Sequence, residues 1–104
     1  MRDVIAAKMV ALVERGAPRD FRDIYAVCEA GLADAEMCWS LWQQRRTLAG
    51  DDTVAGRART ALLTHLERIE LHRPLSAIPD PQERDRASSL RTRFRGRFLH
   101  GLVD

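Results

Sequence analysis

Apolar positions recur with a helical period along most of the chain, and turn signals divide the pattern into five segments. From about Asp3 to Arg15, the residues Val4, Ile5, Met9, Val10, Ala11, Leu12 and Val13 leave little polar circumference, which predicts a helix buried on several sides. Gly16-Ala17-Pro18 closes it. A second helix is expected from Arg19 to Ala30, with Phe21, Ile24, Tyr25 and Cys28 on one stripe and Gly31 as the left-handed residue beyond its end. Asp34 can cap a third helix reaching about Thr47, with Met37, Cys38, Leu41 and Trp42 turned inward. Trp39 and Trp42 lie three residues apart, so one is expected in the core and the other over an interface.

Gly50-Asp51-Asp52-Thr53 predicts a turn and a helix start, where the adjacent carboxylates of Asp51 and Asp52 read as N-caps rather than metal ligands. The fourth helix aligns Val54, Ala58, Leu62, Leu66 and Ile69 and stops near Pro74. After an irregular link from Pro74 to Pro79, Asp80-Pro81-Gln82-Glu83 combines an N-cap acid, a proline at the first helical position and a glutamate in the first turn. The fifth helix that follows carries Ala87, Leu90, Phe94, Phe98 and Leu102 inward, with Gly96 weakening its regularity. No segment alternates like a strand. The expected fold is all-α, a single compact bundle of about five helices spanning residues 1–104.

A chain of 104 residues can bury a modest core but not a deep enclosed active site as well. With 45% hydrophobic and 31% charged residues it is globular rather than disordered. No apolar run approaches the roughly 18 residues of a membrane span, and Met1-Arg2-Asp3-Val4 does not open a secretory signal, so a cytoplasmic protein is expected. Cys28 and Cys38 are too few for a disulfide framework and lack metal-ligand spacing, so both read as core residues. His65 and His72 find no third ligand at suitable spacing, and no metal site is expected. A net charge of +2 does not by itself imply a nucleic-acid partner. The kind of charge says more. Of 17 basic residues, all but Lys8 are arginine. A GC-rich genome, favouring Arg and Ala codons, is the simplest reading of the arginines. Against that background a retained lysine matters, because arginine replaces its compact point charge poorly beside phosphate.

Lys8 and Arg15 are seven residues apart and share a stripe of the first helix with Val4, Ala11 and Leu12. Cations on that side need a polar cleft or acidic partners. Asp20 and Asp23, three apart in the first turn of the next helix, are candidates, and the helix dipole favours carboxylates there in any case. Spacing leaves two outcomes open, a helix–helix salt-bridge network and a ligand site. On the last helix, Arg91 with Arg95 and Arg93 with Arg97 form two stripes that are candidate RNA contacts or simply a solvated face.

The run Lys8-Met9-Val10-Ala11-Leu12, then Arg15, then Arg19-Asp20-Phe21-Arg22-Asp23-Ile24-Tyr25, resembles the helical C-terminal region of the AbiEii/AbiGii-type nucleotidyltransferase toxins. In that family a Lys-x-x-Ala-Leu helix precedes an Arg-Asp-x-x-Asp-Leu/Ile-Tyr helix. Glu29-Ala30-Gly31-Leu32-Ala33-Asp34 extends the likeness over about the first 45 residues, and the two further helices of residues 48–104 agree in helical character. The resemblance implies magnesium-dependent transfer of a nucleotide from a nucleoside triphosphate to a target such as a tRNA end. It also implies the toxin half of a bacterial toxin–antitoxin or phage-defence pair. On that resemblance, Lys8, Arg15 and Arg19 are the nucleotide-binding residues and Asp20 or Asp23 the catalytic carboxylate, Asp20 preferred. The Gly-Ser turn and spaced metal-binding acids that open such enzymes do not occur in the sequence. The expectation is therefore a C-terminal domain or remnant, inactive alone and without a cofactor of its own. Magnesium and a nucleoside triphosphate enter only with a complete catalytic core. Its expected partners are an upstream nucleotidyltransferase core or a cognate antitoxin, and tRNA or another RNA. The alternative is a non-enzymatic helical module that binds a protein or RNA.

Overall fold

Three of the helices pack against the first. A computed structural model describes residues 1–51 and 53–102. Helices α1 (Arg2–Glu14), α2 (Pro18–Glu29), α3 (Ala35–Leu48) and α4 (Ala55–His72) are followed by a 3-10 turn (Leu75–Ala77), α5 (Pro81–Arg95) and the single turn α6 (Arg97–His100). No strand occurs among the described residues. The all-α bundle is thus the observed fold, with α1 packed against α2, α3 and α4, and with α5 and α6 closing over α2, α3 and α4. The radius of gyration, 13.6 Å, is near the roughly 13 Å of a compact chain of this length. No helix among the described residues is long and apolar enough to cross a membrane.

α1 buries Ile5, Ala6, Met9 and Leu12, but the expectation of burial all round does not hold. Val4 is 51% exposed and Ala7 is exposed, while Lys8 and Ala11 are half-buried. The reason is the charge on that side. Burying the stripe shared by Val4, Lys8, Ala11 and Arg15 would strip two cations of water. Gly16 turns the chain into α2 at φ +59°, and Gly31 takes the expected left-handed conformation at φ +71° after it. α2 starts with Pro18 in its first turn and buries Phe21, Ile24 and Val27, leaving Tyr25 and Cys28 half-buried.

Asp34 caps α3, accepting a 2.8 Å hydrogen bond from the Met37 N–H. Met37 itself stays exposed, because α3 turns Cys38, Trp39, Leu41 and Trp42 inward instead. Both tryptophans are buried, so neither covers an interface, since α1 and α6 enclose that face from two directions. The Trp39 indole donates to the Phe98 carbonyl at 2.9 Å, whereas the Trp42 N–H is buried without a partner among the described residues. α4 begins one residue later than the periodicity suggests. Val54 is its N-cap in extended conformation, off the helical register and exposed, and Ala55 takes the inward place. Asp51 does not cap α4 but lies 3.7 Å from Arg46, and Asp52 falls outside the described residues.

The link to α5 contains the 3-10 turn and buries Ile78, whose carbonyl accepts from Arg84 Nε and Nη2 at 3.1 and 2.9 Å. Asp80 caps α5 through the Gln82 N–H. The predicted fifth helix is broken at Gly96, where φ −114° and ψ −97° leave the helical region. That break lets Phe94, Phe98, Leu99 and Leu102 all face inward. A relay of rings then ties four helices together. Phe21 meets Phe94 edge-on at 5.0 Å, Phe94 lies 4.8 Å from Phe98, Phe98 lies 5.4 Å from Trp39, and Trp39 meets Trp42 edge-on at 5.5 Å.

Candidate functional site

The turn at Gly16 brings the first turn of α2 alongside the solvent-facing stripe of α1. Lys8 Nζ lies 3.1 Å from Asp23 Oδ2, one bond between side chains that remain 37% and 46% exposed. Arg15 forms a fork on Asp20, with Nε donating to Oδ2 at 3.0 Å and Nη2 to Oδ1 at 2.7 Å. The Ala17 backbone N–H adds a third donor to Asp20 Oδ2 at 2.8 Å, so Asp20 also serves as the capping carboxylate of α2. Asp20 is 4% exposed. The Arg15 hydrogen bonds hold its carboxyl below the usual carboxylate range, against the opposing effect of burial and with help from the Ala17 N–H. In return Asp20 pushes the Arg15 guanidinium further up.

These side chains border an open groove of about 560 Å³ whose apolar floor is Val4, Ala7 and Ala11. Arg19 lies on its rim, and Arg45 reaches it from α3 with its guanidinium 3.5 Å from the Asp3 carbonyl. Four cations therefore face three carboxylates, Asp3, Asp20 and Asp23. The local balance favours an anion. Arg15 spends two of its five N–H donors on Asp20, and Lys8 one of its three on Asp23, so both keep donors for a ligand. Both Asp20 oxygens are taken up by Arg15 and Ala17, and no cluster of three or more His, Cys, Asp or Glu side chains among the described residues is placed to hold a metal ion.

All five residues singled out near the start of the sequence thus meet in one place. Arg45 and Asp3 were not among them. Nothing local to Arg45 marks it, because only the packing of α3 on α1 carries it to the groove.

The arginines of the last helix fare differently. Arg91 is 6% exposed and donates through Nη2 to the Arg73 carbonyl at 2.7 Å, capping the C-terminal end of α4. It is not a surface contact, because its long stem spans the α4–α5 seam and its charge meets the negative end of a helix. Burial lowers its pKa, and neighbouring Arg73 lowers it further. Arg93 is paired with Glu29 and lies 5.3 Å from the Tyr25 ring centre, and Arg95 is paired with Glu70. Arg97 is exposed but lies beyond the Gly96 break, out of register with Arg93. The two predicted stripes do not form.

Two further groups take positions that spacing alone did not indicate. His65 Nε2 lies 2.9 Å from the Val13 carbonyl, which can only accept, so that nitrogen carries the proton and Nδ1 is left buried without a partner among the described residues. Cys28 of α2 and Cys38 of α3 are neighbours in the core. The Cys38 thiol and the Arg93 cation bring the Cys28 thiol down to about 7, while Cys28 and burial push Cys38 up.

A family model described as nucleotidyl transferase AbiEii toxin, type IV toxin–antitoxin system, matches residues 1–103, well beyond the first 45 residues in which the likeness is legible by eye. No curated protein and no solved structure matches the chain.

Proposed function

Because the chain belongs to the AbiEii nucleotidyltransferase toxin family, we propose that its α1–α2 groove meets the phosphates of a nucleoside triphosphate during nucleotide transfer. The observation that carries this reading is the meeting of Lys8, Arg15, Arg19, Asp20 and Asp23 in one cation-rich groove. Lys8 and Arg15 supply donors and positive charge where phosphate charge shifts during transfer. Asp20 acts as a positioning residue that fixes the Arg15 fork, since its oxygens already accept three hydrogen bonds and leave it poorly placed as a base. Asp23 is the more accessible carboxylate. The metal-bearing carboxylates come from a nucleotidyltransferase core, and on this reading the chain is inactive without one. A cognate antitoxin is the partner that family membership suggests. The α5 arginines lend little to an RNA-binding alternative, with Arg91 buried and Arg93 and Arg95 paired internally.

Calorimetric titration with a nucleoside triphosphate and magnesium tests the reading. The parent chain is expected to bind, and Lys8→Ala to bind about ten-fold more weakly or worse, the effect of losing a charge-assisted contact. Equal affinity for the two proteins, or none for the parent, would remove the groove from this role.

A further inference from the structure

The two ion pairs of the groove are built differently. Asp20 is held by two Arg15 bonds and the Ala17 N–H, and its side chain is 5% exposed. It cannot leave Arg15 without also leaving a backbone N–H unpaired at the start of α2. Asp23 is held by a single 3.1 Å contact, and both partners are more than one-third in water. Such a pair contributes little and opens readily. Lys8 sits at the end of a flexible stem beside Ala7 and Ala11, whose side chains offer no competing polar atom.

We propose that Asp23 is the exchangeable counter-ion of the groove: an incoming polyphosphate displaces it from Lys8, while Asp20 stays on Arg15. This inference rests on the groove being a phosphate site. It adds that Asp23 occupies the place of a phosphate oxygen when no substrate is bound, and so sets the affinity and selectivity of the groove for highly charged anions. A polyphosphate, with several charges to set against one carboxylate, displaces it more effectively than a singly charged anion does.

Lys8 is the chain's only lysine, so amine acylation reports on it individually. The full chain is treated with a succinimidyl ester over a range of inorganic tripolyphosphate at fixed ionic strength. Modification of Lys8 and of the Met1 amine is then read by peptide mass spectrometry. Tripolyphosphate is expected to protect Lys8 and not Met1. Asp23→Asn is expected to lower the half-protecting concentration about three- to ten-fold, from loss of a competing pair and of like-charge repulsion. Asp3→Asn removes the same charge from the same groove without freeing Lys8, and is expected to shift it less than about two-fold. Asp23→Glu restores a carboxylate and is expected to return to the parent value. Each variant is read after circular dichroism shows parental helicity. Protection of Lys8 with no difference between Asp23→Asn and Asp3→Asn overturns the exchange and leaves the phosphate site standing. No protection of Lys8 in any variant overturns both.

Discussion

Replacing Gly16 by alanine places a Cβ where the structure has no room, in a backbone conformation that alanine resists. Gly16 has φ +59°, and a Cβ there would lie 2.3, 2.4 and 2.5 Å from Cγ, Cδ2 and Cβ of His65. The left-handed backbone alone costs about 1 kcal/mol for a residue with a Cβ. The clash reaches the base of the histidine side chain, not a flexible tip, so His65 must shift and lose its 2.9 Å bond to the Val13 carbonyl. The lost bond is worth about 1 kcal/mol, and repacking a crowded site costs about 1–3 kcal/mol more. The sum, about 3–5 kcal/mol, is a large part of the roughly 5–15 kcal/mol that holds a domain together. Gly31 supplies the control, because it has φ +71° but nothing within 4 Å of a built Cβ. Gly31→Ala should therefore cost only the backbone share, about 1 kcal/mol. Urea unfolding followed by tryptophan fluorescence measures both, since Trp39 and Trp42 are buried in the native state. If Gly16→Ala costs no more than Gly31→Ala, the close approach of α4 to the α1–α2 turn is wrong. So then is the account of how Arg15 is aimed at Asp20.

Asp20→Asn should destabilise the chain by about 1–3 kcal/mol at neutral pH by weakening the Arg15 fork and the cap of α2. Because the Asp20 pKa is depressed on folding, its contribution is fully present above the unfolded value of about 3.9 and is lost as pH falls through the folded value. The stability gap between parent and variant should thus be constant above about pH 5 and close in acid, as urea titrations at several pH values would reveal. A gap that persists unchanged at pH 2 contradicts the assignment. Arg91→Ala should cost about 2 kcal/mol through the lost bond to the Arg73 carbonyl and lost stem packing, whereas exposed Arg97→Ala should stay within about 0.5 kcal/mol. Thermal melts compare the two directly, and equal effects would mean that Arg91 does not cap α4.

The groove combines a fixed and a movable element. Arg15 is held by a carboxylate that also starts a helix, so its direction is set by the same contacts that set the fold. Lys8 is held by a pair that water can reach. A site that must admit and release a polyanion benefits from both properties, since rigid donors orient a ligand and loose ones exchange.

Local rules carried much of this molecule. Phe21 and Ile24 on the α2 stripe, the left-handed Gly31, the Asp34 cap and the Asp80-Pro81 start all follow from interactions within about one helical turn, so they can be read from neighbouring residues. The pairing of Lys8 and Arg15 with Asp23 and Asp20 was almost as legible, because one tight turn separates the two helices. Beyond that range, periodicity says which residues share a face but not what covers it. Val4 and Met37 lie on predicted inward positions and stay in water, while Trp39 is enclosed by α6, nearly sixty residues further on. Arg45 reaches the groove, Arg91 leaves the surface and Cys28 finds Cys38 for the same reason. Burial, and with it the energetic meaning of a charge or a thiol, depends on which distant segment packs against it, and that information is not local to any stretch of the chain.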